Sequence, residues 1–532
     1  MPTGPRSQRA EQVAAPAGPG GSANASLAHL VRNFVTGYAG LLSGVLLSLF
    51  LTPIVLRHLG AADYGLWILL TSVSGYVGLL DAGVSTAVVQ TLARRLATGA
   101  QDEVAVLLAT ARRFFLVSSL LAVAVTGMVL PFVGALFHLG RAEDVARWCL
   151  LIGSATTAAG FMTSVPRATI YGSGRSYLAT MVVTVIGALT QGVQIMAVEL
   201  GGGVLVLFIV SGIGAAVNWV ALLWVARTLE VDGGARRSAT WSEMRALLRF
   251  GGRTALVQIS GILVLSLDVL VIGTICPIRD VAPYDLGVST SRFVRSVSTA
   301  ATAQTLPTYA HFSALGARER QFELFSRGVS IAGCITATLV VTLIAFGRGI
   351  LHVWLGHVPP QTYLVVLAAN LVFMVQLPGN QAYVFLLGIG RTRLVSRVAL
   401  LLAVGNVGLS ILFTILLGPV GPLVGNAPQY LVVDFVVLPL VCCRLLQVPV
   451  ARYAKEALAA PLAALLVSGA VAGLLWLVAG EVDSAWVLAE AAAVGVITSA
   501  VLVPVLVTRD PVLAEVAGRL RRRVLPMGEL PR

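Results

Sequence analysis

The residues best suited to chemistry lie in one stripe. Between residues 286 and 310, Ser291, Arg292, Arg295, Ser298, Thr299, Thr302 and Thr305 recur at three- and four-residue spacing. On a helix that spacing gathers them on one face of an otherwise largely apolar segment. Two guanidinium forks among hydroxyls suit an anion, above all a phosphate, because each planar fork donates to two oxygens at once. In a membrane span a charge costs about 2.5–3.5 kcal/mol on insertion scales, so each such charge is a candidate for function. Ser291, Arg292, Arg295, Ser298 and Thr302 are therefore the candidate substrate-binding residues.

Three carboxylates accompany them. Asp268 lies near the end of the preceding apolar segment and Arg292 near the start of the next. Antiparallel neighbours would hold the two at similar depth, and an Asp268–Arg292 ion pair would let both be buried. Arg295, one turn deeper, has no such partner and is the better candidate for the anion. Asp81 ends an uncharged run from Tyr64 to Leu80 and is placed to cap a helix over Ala82–Leu96. Asp434, inside a later apolar segment, is either a proton carrier or a packing group.

Other chemistries find little support. The five cysteines are odd in number, sit in or beside apolar runs and lack ligand spacing, and the six histidines are scattered near segment ends. No metal cluster, Ser/His/Asp arrangement or nucleotide motif is present, and no cofactor is expected. Gly172-Ser173-Gly174-Arg175 and Gly388-Ile389-Gly390-Arg391 look like phosphate loops, yet neither follows a strand. They read as tight turns between spans.

The elements that must position these residues are membrane helices. Of 532 residues, 57% are apolar and 11% charged, and the mean hydropathy is +0.88. A soluble domain carries roughly a quarter charged residues. The pattern predicts an all-α polytopic protein of fourteen spans, the second over 64–90, the eighth over 286–310 and the last two over 457–480 and 486–508. Proline falls in or near several of them, which predicts kinks. The net charge of +13 is spread over many short loops, which argues against nucleic acid. With the N-terminus inside, thirty of the 37 Lys and Arg fall in inner segments and five in outer loops; Arg292 and Arg295 are the other two. That asymmetry places both termini in the cytoplasm. Outer loops are short, which leaves no room for a catalytic domain outside, so no enzyme activity is expected.

The chain also repeats itself. Gly99 returns as Gly316, and Gly172–Arg175 returns as Gly388–Arg391. The spacing is near 216 residues each time, and each unit holds six spans. An even number inserts both units the same way up, a parallel repeat with the substrate site between the halves. The expected organisation is a disordered tail 1–29, a first lobe 30–230, a linker 231–252, a second lobe 253–446, two extra spans within 447–508 and a basic tail 509–532. Thr240-Trp241-Ser242-Glu243 in the linker reads as a capping box opening a short helix in the inner interface.

A resemblance now adds to this. Leu49, Pro53, Leu59-Gly60, Asp63-Tyr64-Gly65-Leu66-Trp67 and Leu80-Asp81-Ala82-Gly83 resemble the amino-terminal signature of the polysaccharide transporter family. These are the O-antigen-type flippases of the multidrug/oligosaccharidyl-lipid/polysaccharide exporter superfamily. Leu306-Pro307 and the Gly-x-Gly-Arg turns are similar as well, and the likeness covers roughly residues 30–450. It implies a V-shaped pair of six-helix lobes around a central cationic cavity, in a bacterial plasma membrane. The implied substrate is a polyprenyl-pyrophosphate-linked oligosaccharide moved from inner to outer leaflet. The implied partners are membrane lipids and the glycan polymerase or glycosyltransferases of the same pathway. Lipid II flippases of the superfamily also carry two extra helices, and multidrug members often keep a coupling carboxylate where Asp268 stands. The alternatives are a multidrug or small-molecule exporter, which would want a carboxylate-lined, Met- and aromatic-rich cavity, and a membrane glycan polymerase or ligase, which would need a sizeable outer loop. Topology is directly testable: reporter fusions at Glu481 should read outside and at Arg521 inside, and the reverse would overturn the lobe assignment.

Overall fold

The structure, a computed structural model, describes residues 21–509 except 82, 138, 230, 232–237, 301, 303–304 and 480–485. The tail before residue 21, the basic tail after 509, part of the linker and Glu481 lie outside the described residues. Every regular element described is helical. Nine helical stretches among the described residues are long and apolar enough to cross a membrane.

Helix α1, Gly21–Val77, starts inside the stretch expected to be disordered. Alanine and leucine recur over Ser22–Leu30, and both favour helix. It breaks at Gly60 (φ 80°, ψ 172°), a backbone that suits glycine and little else. A tight turn over Gly78–Asp81 and a left-handed Gly83 (φ 70°) then open α2, Val84–Ala97. The expected second span, 64–90, is thus two helices. Then follow α3 (Gln101–Val129), α4 (Glu143–Gly172), α5 (Ser176–Glu199) and α6 (Val204–Thr228).

The second half starts with α7 (Trp241–Ile275), α8 (Val281–Ala300) and α9 (Leu306–Ala314). The eighth segment therefore begins at Val281 rather than 286 and ends at Ala300 rather than 310. Pro283 is tolerated in the first turn of α8, where no intrahelical N–H bond is lost, and Pro307 sits in the first turn of α9. Then come α10 (Arg318–Leu355), α11 (Thr362–Gly388), α12 (Thr392–Leu417), α13 (Gly421–Tyr430), a π-helical turn over Leu431–Val437, and α14 (Leu438–Leu446). Two further helices, α15 (Ala459–Ala479) and α16 (Trp486–Arg509), pack on α10 through Cys334, Ala337, Phe346, Ala464, Ala472 and Val494.

The repeated glycines occupy repeated turns. Gly99 and Gly316 have φ of 71° and 66°, and Gly174 and Gly390 have φ of 75° and 77°. In each, the amide after the glycine donates to a carbonyl five residues back: Ala100 to Arg95, Ala317 to Phe312, Arg175 to Ile170 and Arg391 to Leu386. This is the left-handed helix stop that glycine makes inexpensive.

The linker differs from expectation. Thr240 caps α7, its Oγ1 accepting from the Glu243 amide at 3.4 Å. Glu243 does not turn back to complete the box; its carboxylate meets Arg95 of α2 at 2.9 Å. The helix runs unbroken from Trp241 into the seventh span, and Leu247 is buried among Val84, Leu92 and Phe115. No separate interfacial helix forms among the described residues, because an apolar face at the base of α7 has α2 and α3 to pack against.

At the arginine-poor end the halves are locked together. Leu66, Leu69 and Leu70 share a core with Ile272, Val281, Tyr284 and Val365. Tyr64 and Val55 share another with Leu286, Leu351 and Leu355. Arg57 Nε donates to the Leu355 carbonyl at 3.1 Å, and Trp354 Nε1 to the Leu49 carbonyl at 2.7 Å. A Cβ at Gly65 would land on the Ile278 carbonyl, so the approach needs glycine there. Gly65→Val should therefore push the halves apart at this end. Spin labels at Ala62 and Arg279, both exposed, should report a longer and broader distance distribution by pulsed EPR; an unchanged distribution would contradict this packing.

Candidate functional site

Helix α8 turns consecutive side chains in opposite directions. Tyr284 points into the second half, where its hydroxyl donates to Asp268 Oδ2 at 2.7 Å. Asp285 points across to the first half, where Tyr64 donates its hydroxyl to Asp285 Oδ2 at 2.8 Å. Two turns along, Arg292 Nη2 donates to Asp285 Oδ1 at 2.7 Å and to Ser289 Oγ at 2.6 Å. The Asp285 carboxylate thus joins a tyrosine of one half to an arginine of the other. Its side chain is 7% exposed, against 54% for Arg292.

The expected Asp268–Arg292 ion pair is not formed. Arg292 takes Asp285, seven residues earlier on its own helix and on the same face. Starting the eighth span at 286 concealed Asp285; Pro283, read as a first-turn proline, was the signal that would have included it. Asp268 is buried instead among neutral donors, its Oδ1 accepting from Ser410 at 2.6 Å. Asn426 Nδ2 in turn donates to Ser410 Oγ at 2.8 Å. Two oxygens held by two hydroxyls keep the carboxylate in place without a cation among the hydrogen bonds described.

Arg295, one turn below Arg292, points into the second half. Its guanidinium lies 4.5 Å from the Phe373 ring centroid and donates to Gln376 Oε1 at 2.7 Å. Arg295 and Asp268 line one polar cavity of about 60 Å³ with Tyr284, Ser291, Gln376 and Tyr430. That volume holds an ion or one or two waters, not a glycan.

The remaining stripe residues divide by burial. Ser291 Oγ donates to the Ala369 carbonyl at 3.3 Å. Ser298 Oγ accepts from Thr336 at 2.8 Å, and Thr302 Oγ1 accepts from Gln381 at 2.8 Å. Ser298 and Thr302 therefore bind α8 and its C-terminal end to α10 and α11 rather than facing a wide cavity. Asp81 lies before α2, its Oδ1 accepting from the Ser85 amide at 3.1 Å and hydroxyl at 2.7 Å, while Gly83 takes the cap position itself. Asp434 sits in the π-helical turn, its Oδ1 buried with no hydrogen-bond partner among the described residues. It packs on Gly379, where a Cβ would come within 2.6 Å of the Asp434 Cα. Tyr64, Tyr284, Asp285, Gln376, Ser410 and Asn426 were outside the expected set. Single polar residues in apolar helices give a sequence pattern no reason to bring them together.

The two helical halves pack together, with charged groups where they meet. Solved structures share this fold. The fold is similar to one titled "Lipid II flippase MurJ, inward closed conformation" (TM-score 0.66, 14% identity, 89% of this chain and 99% of that one). It is also similar to an inward-facing multidrug resistance MATE family transporter of the MOP superfamily (TM-score 0.59, 17% identity, 77% of this chain and 96% of that one), and to a MATE crystal structure in the bent conformation (TM-score 0.52, 16% identity, 81% of this chain and 97% of that one). No curated protein matches the chain significantly. The model of one family, described as "Polysaccharide biosynthesis protein", matches residues 54–358, and the chain belongs to that family.

The Asp285 junction should show as energetic coupling. In a double-mutant cycle on unfolding, Tyr64→Phe and Asp285→Asn should couple by about 0.5–3 kcal/mol, as directly bonded residues do. Additivity within about 0.3 kcal/mol would mean the contact contributes nothing.

Proposed function

We propose that the chain is a flippase that carries a polyprenyl-pyrophosphate-linked oligosaccharide from the inner to the outer leaflet of a bacterial plasma membrane by alternating access, for cell-surface polysaccharide synthesis. The arginine-rich end, with both termini, faces the cytoplasm. The observation that carries this reading is Arg292, half exposed in a membrane helix where the two halves meet, in a chain of a polysaccharide biosynthesis family. A fixed cation there attracts a diphosphate, and a guanidinium holds it by paired charge-assisted bonds. Arg295, one turn nearer the cytoplasmic end, meets the diphosphate first when the inner end is open, and Arg292 takes over when the halves part at the outer end. The polyprenyl tail stays in lipid throughout. Ser291, Ser298 and Thr302 hold α8 in register, so the arginines keep their depth. The protein does no bond chemistry; its partners are the lipid-linked glycan, membrane lipids and the glycosyltransferases or polymerase that make and use the cargo.

Asp268 and Asp434 are the groups through which an ion gradient would act on the second half, while Asp81 holds the start of α2. A second reading, export of a small molecule, draws on the similarity in fold to MATE transporters. It assigns the 60 Å³ polar cavity to drug-coupled cation exchange.

Surface glycan, measured at equal protein amounts, separates the two. Arg295→Ala should lose glycan export by roughly tenfold or more, and Arg295→Lys should restore part of it, since it keeps the charge without the fork. Wild-type export in Arg295→Ala would remove this residue, and export intact in both Arg292→Ala and Arg295→Ala would favour the small-molecule reading. Asp268→Asn keeps an acceptor for Tyr284 or Ser410 and should fold; transport lost in that variant identifies coupling, and transport kept identifies packing.

A further inference from the structure

Asp434 is a buried acid without a counterpart. It is 4% exposed, within a membrane span. Its Oδ1 meets no donor among the described residues. A carboxylate so placed is costly in its charged form, and such a group takes up a proton instead. The backbone around it is unusual on both sides. Asp434 lies at the centre of the π-helical turn Leu431–Val437, a local widening frequent at functional positions. Gly379 of α11 admits it: a Cβ there would lie 2.6 Å from Asp434 Oδ1. Pro378, the residue before, has no amide N–H, so α11 loses a helical bond at the same level.

Two spacings put Asp434 beside the Arg295 cavity. On α11, Gln376, which accepts from Arg295 at 2.7 Å, precedes Gly379 by three residues. Residues three apart share a helix face and lie about 4.5 Å apart along the axis. On the other wall, Tyr430 lines the cavity with Arg295 and Gln376, and it precedes Asp434 by four residues. Asp434 is therefore the next group along from the cavity on both walls, within reach of the Arg295 charge. No ion pair joins the two in this state, because Arg295 is turned to Gln376 and Phe373. The other titratable groups in reach are Tyr383 of α11 and Tyr430. Phenols do not ordinarily ionise between about pH 5 and pH 8. On the Phe435 side of the turn, α15 offers only the apolar Pro461, Leu462 and Leu465.

We propose that Asp434 is an alternative counter-charge for Arg295, and that its protonation decides whether the arginine is free for a diphosphate. With the proton on, Arg295 rests on the neutral Gln376 and exchanges it for a phosphate oxygen. With the proton lost to water, the carboxylate pairs with Arg295 and competes with the diphosphate. Protonation of Asp434 and binding of the diphosphate therefore favour each other. The inference rests on the reading of Arg295 as a diphosphate ligand. The other two buried acids of the second half are already held, Asp268 by Tyr284 and Ser410, and Asp285 by Tyr64 and Arg292.

Two measurements on the purified full chain test this. The first needs no cargo. The infrared difference between wild type and Asp434→Asn should contain the C=O stretch of a protonated carboxyl, and that band should fade as pH rises. In Arg295→Gln it should persist to a pH about one unit higher or more, because a nearby cation favours the carboxylate. A missing band, or one that fades alike with and without Arg295, would overturn the proposal. The second is binding of geranylgeranyl pyrophosphate across pH, with Asp434→Asn standing in for the protonated form. Near about pH 5 the two proteins should bind within roughly twofold of each other, and near about pH 8 the wild type should be weaker by roughly tenfold or more, since one linked proton changes affinity by up to about tenfold per pH unit. Equal pH dependence in wild type and Asp434→Asn would also overturn the proposal. Probe binding untouched by Arg295→Ala would instead remove the diphosphate reading of Arg295, and the infrared measurement would still decide the pairing. Each variant is scored only as a monodisperse species of wild-type elution volume, and the comparison of Arg295→Gln with wild type decides the matter if Asp434→Asn does not fold.

Discussion

One carboxylate sets the constraints in this molecule. Asp285 is almost fully buried where the two halves meet, and it is tolerable there because Tyr64 donates to one oxygen and Arg292 to the other. A buried carboxylate stripped of its donors would cost several kcal/mol. The tyrosine donor comes from the first half, so separating the halves exposes that cost or replaces the donor by water. Closure at the arginine-poor end and the position of Arg292 are therefore two readings of one contact. An anion that competes for Arg292 would weaken the arginine's hold on Asp285 and shift the balance between closed and open.

The rest of the arrangement supports this contact. Gly65 and Gly273 let the backbones approach, with Ile278 and Leu69 filling the space a side chain would take. Trp354 and Arg57 tie α10 to the last turns before Gly60. At the opposite end the base of α7 is docked on the first half through Glu243 and Leu247. α7 therefore belongs to the second half at one end and to the first at the other. Any rocking of the halves must be taken up along its length. Inside the second half, Asp268 is satisfied by Ser410 and Tyr284, so the helix that presents Asp285 is also fixed from behind.

Much of this was legible in the sequence. The apolar runs announced membrane helices, and the glycines at 99, 174, 316 and 390 marked turns that the backbone adopts with positive φ. Asp81 lies before α2 and accepts from the Ser85 amide and hydroxyl, a local contact that needs only the next few residues, while Gly83 takes the cap position itself. The partner of Arg292 was not legible, because the pairing depended on where α8 begins, and helix ends are the least certain part of a sequence reading. The stripe on α8 also split in a way no periodicity shows. Ser298 and Thr302 face neighbouring helices that offer Thr336 and Gln381, while Arg292 faces the junction. A polar face on a membrane helix shows that something polar lies opposite; it does not distinguish a cavity from another helix.

Reconstituted flipping tests the central claim most directly. The purified chain, placed in liposomes with a polyprenyl-pyrophosphate-linked oligosaccharide labelled on the glycan, should make the label accessible to an external lectin or periodate faster than protein-free liposomes do. Arg292→Ala with Arg295→Ala, inserted equally well, should reduce the rate to the protein-free level. Equal rates with and without the wild-type protein would contradict the account, as would an undiminished rate in the double variant.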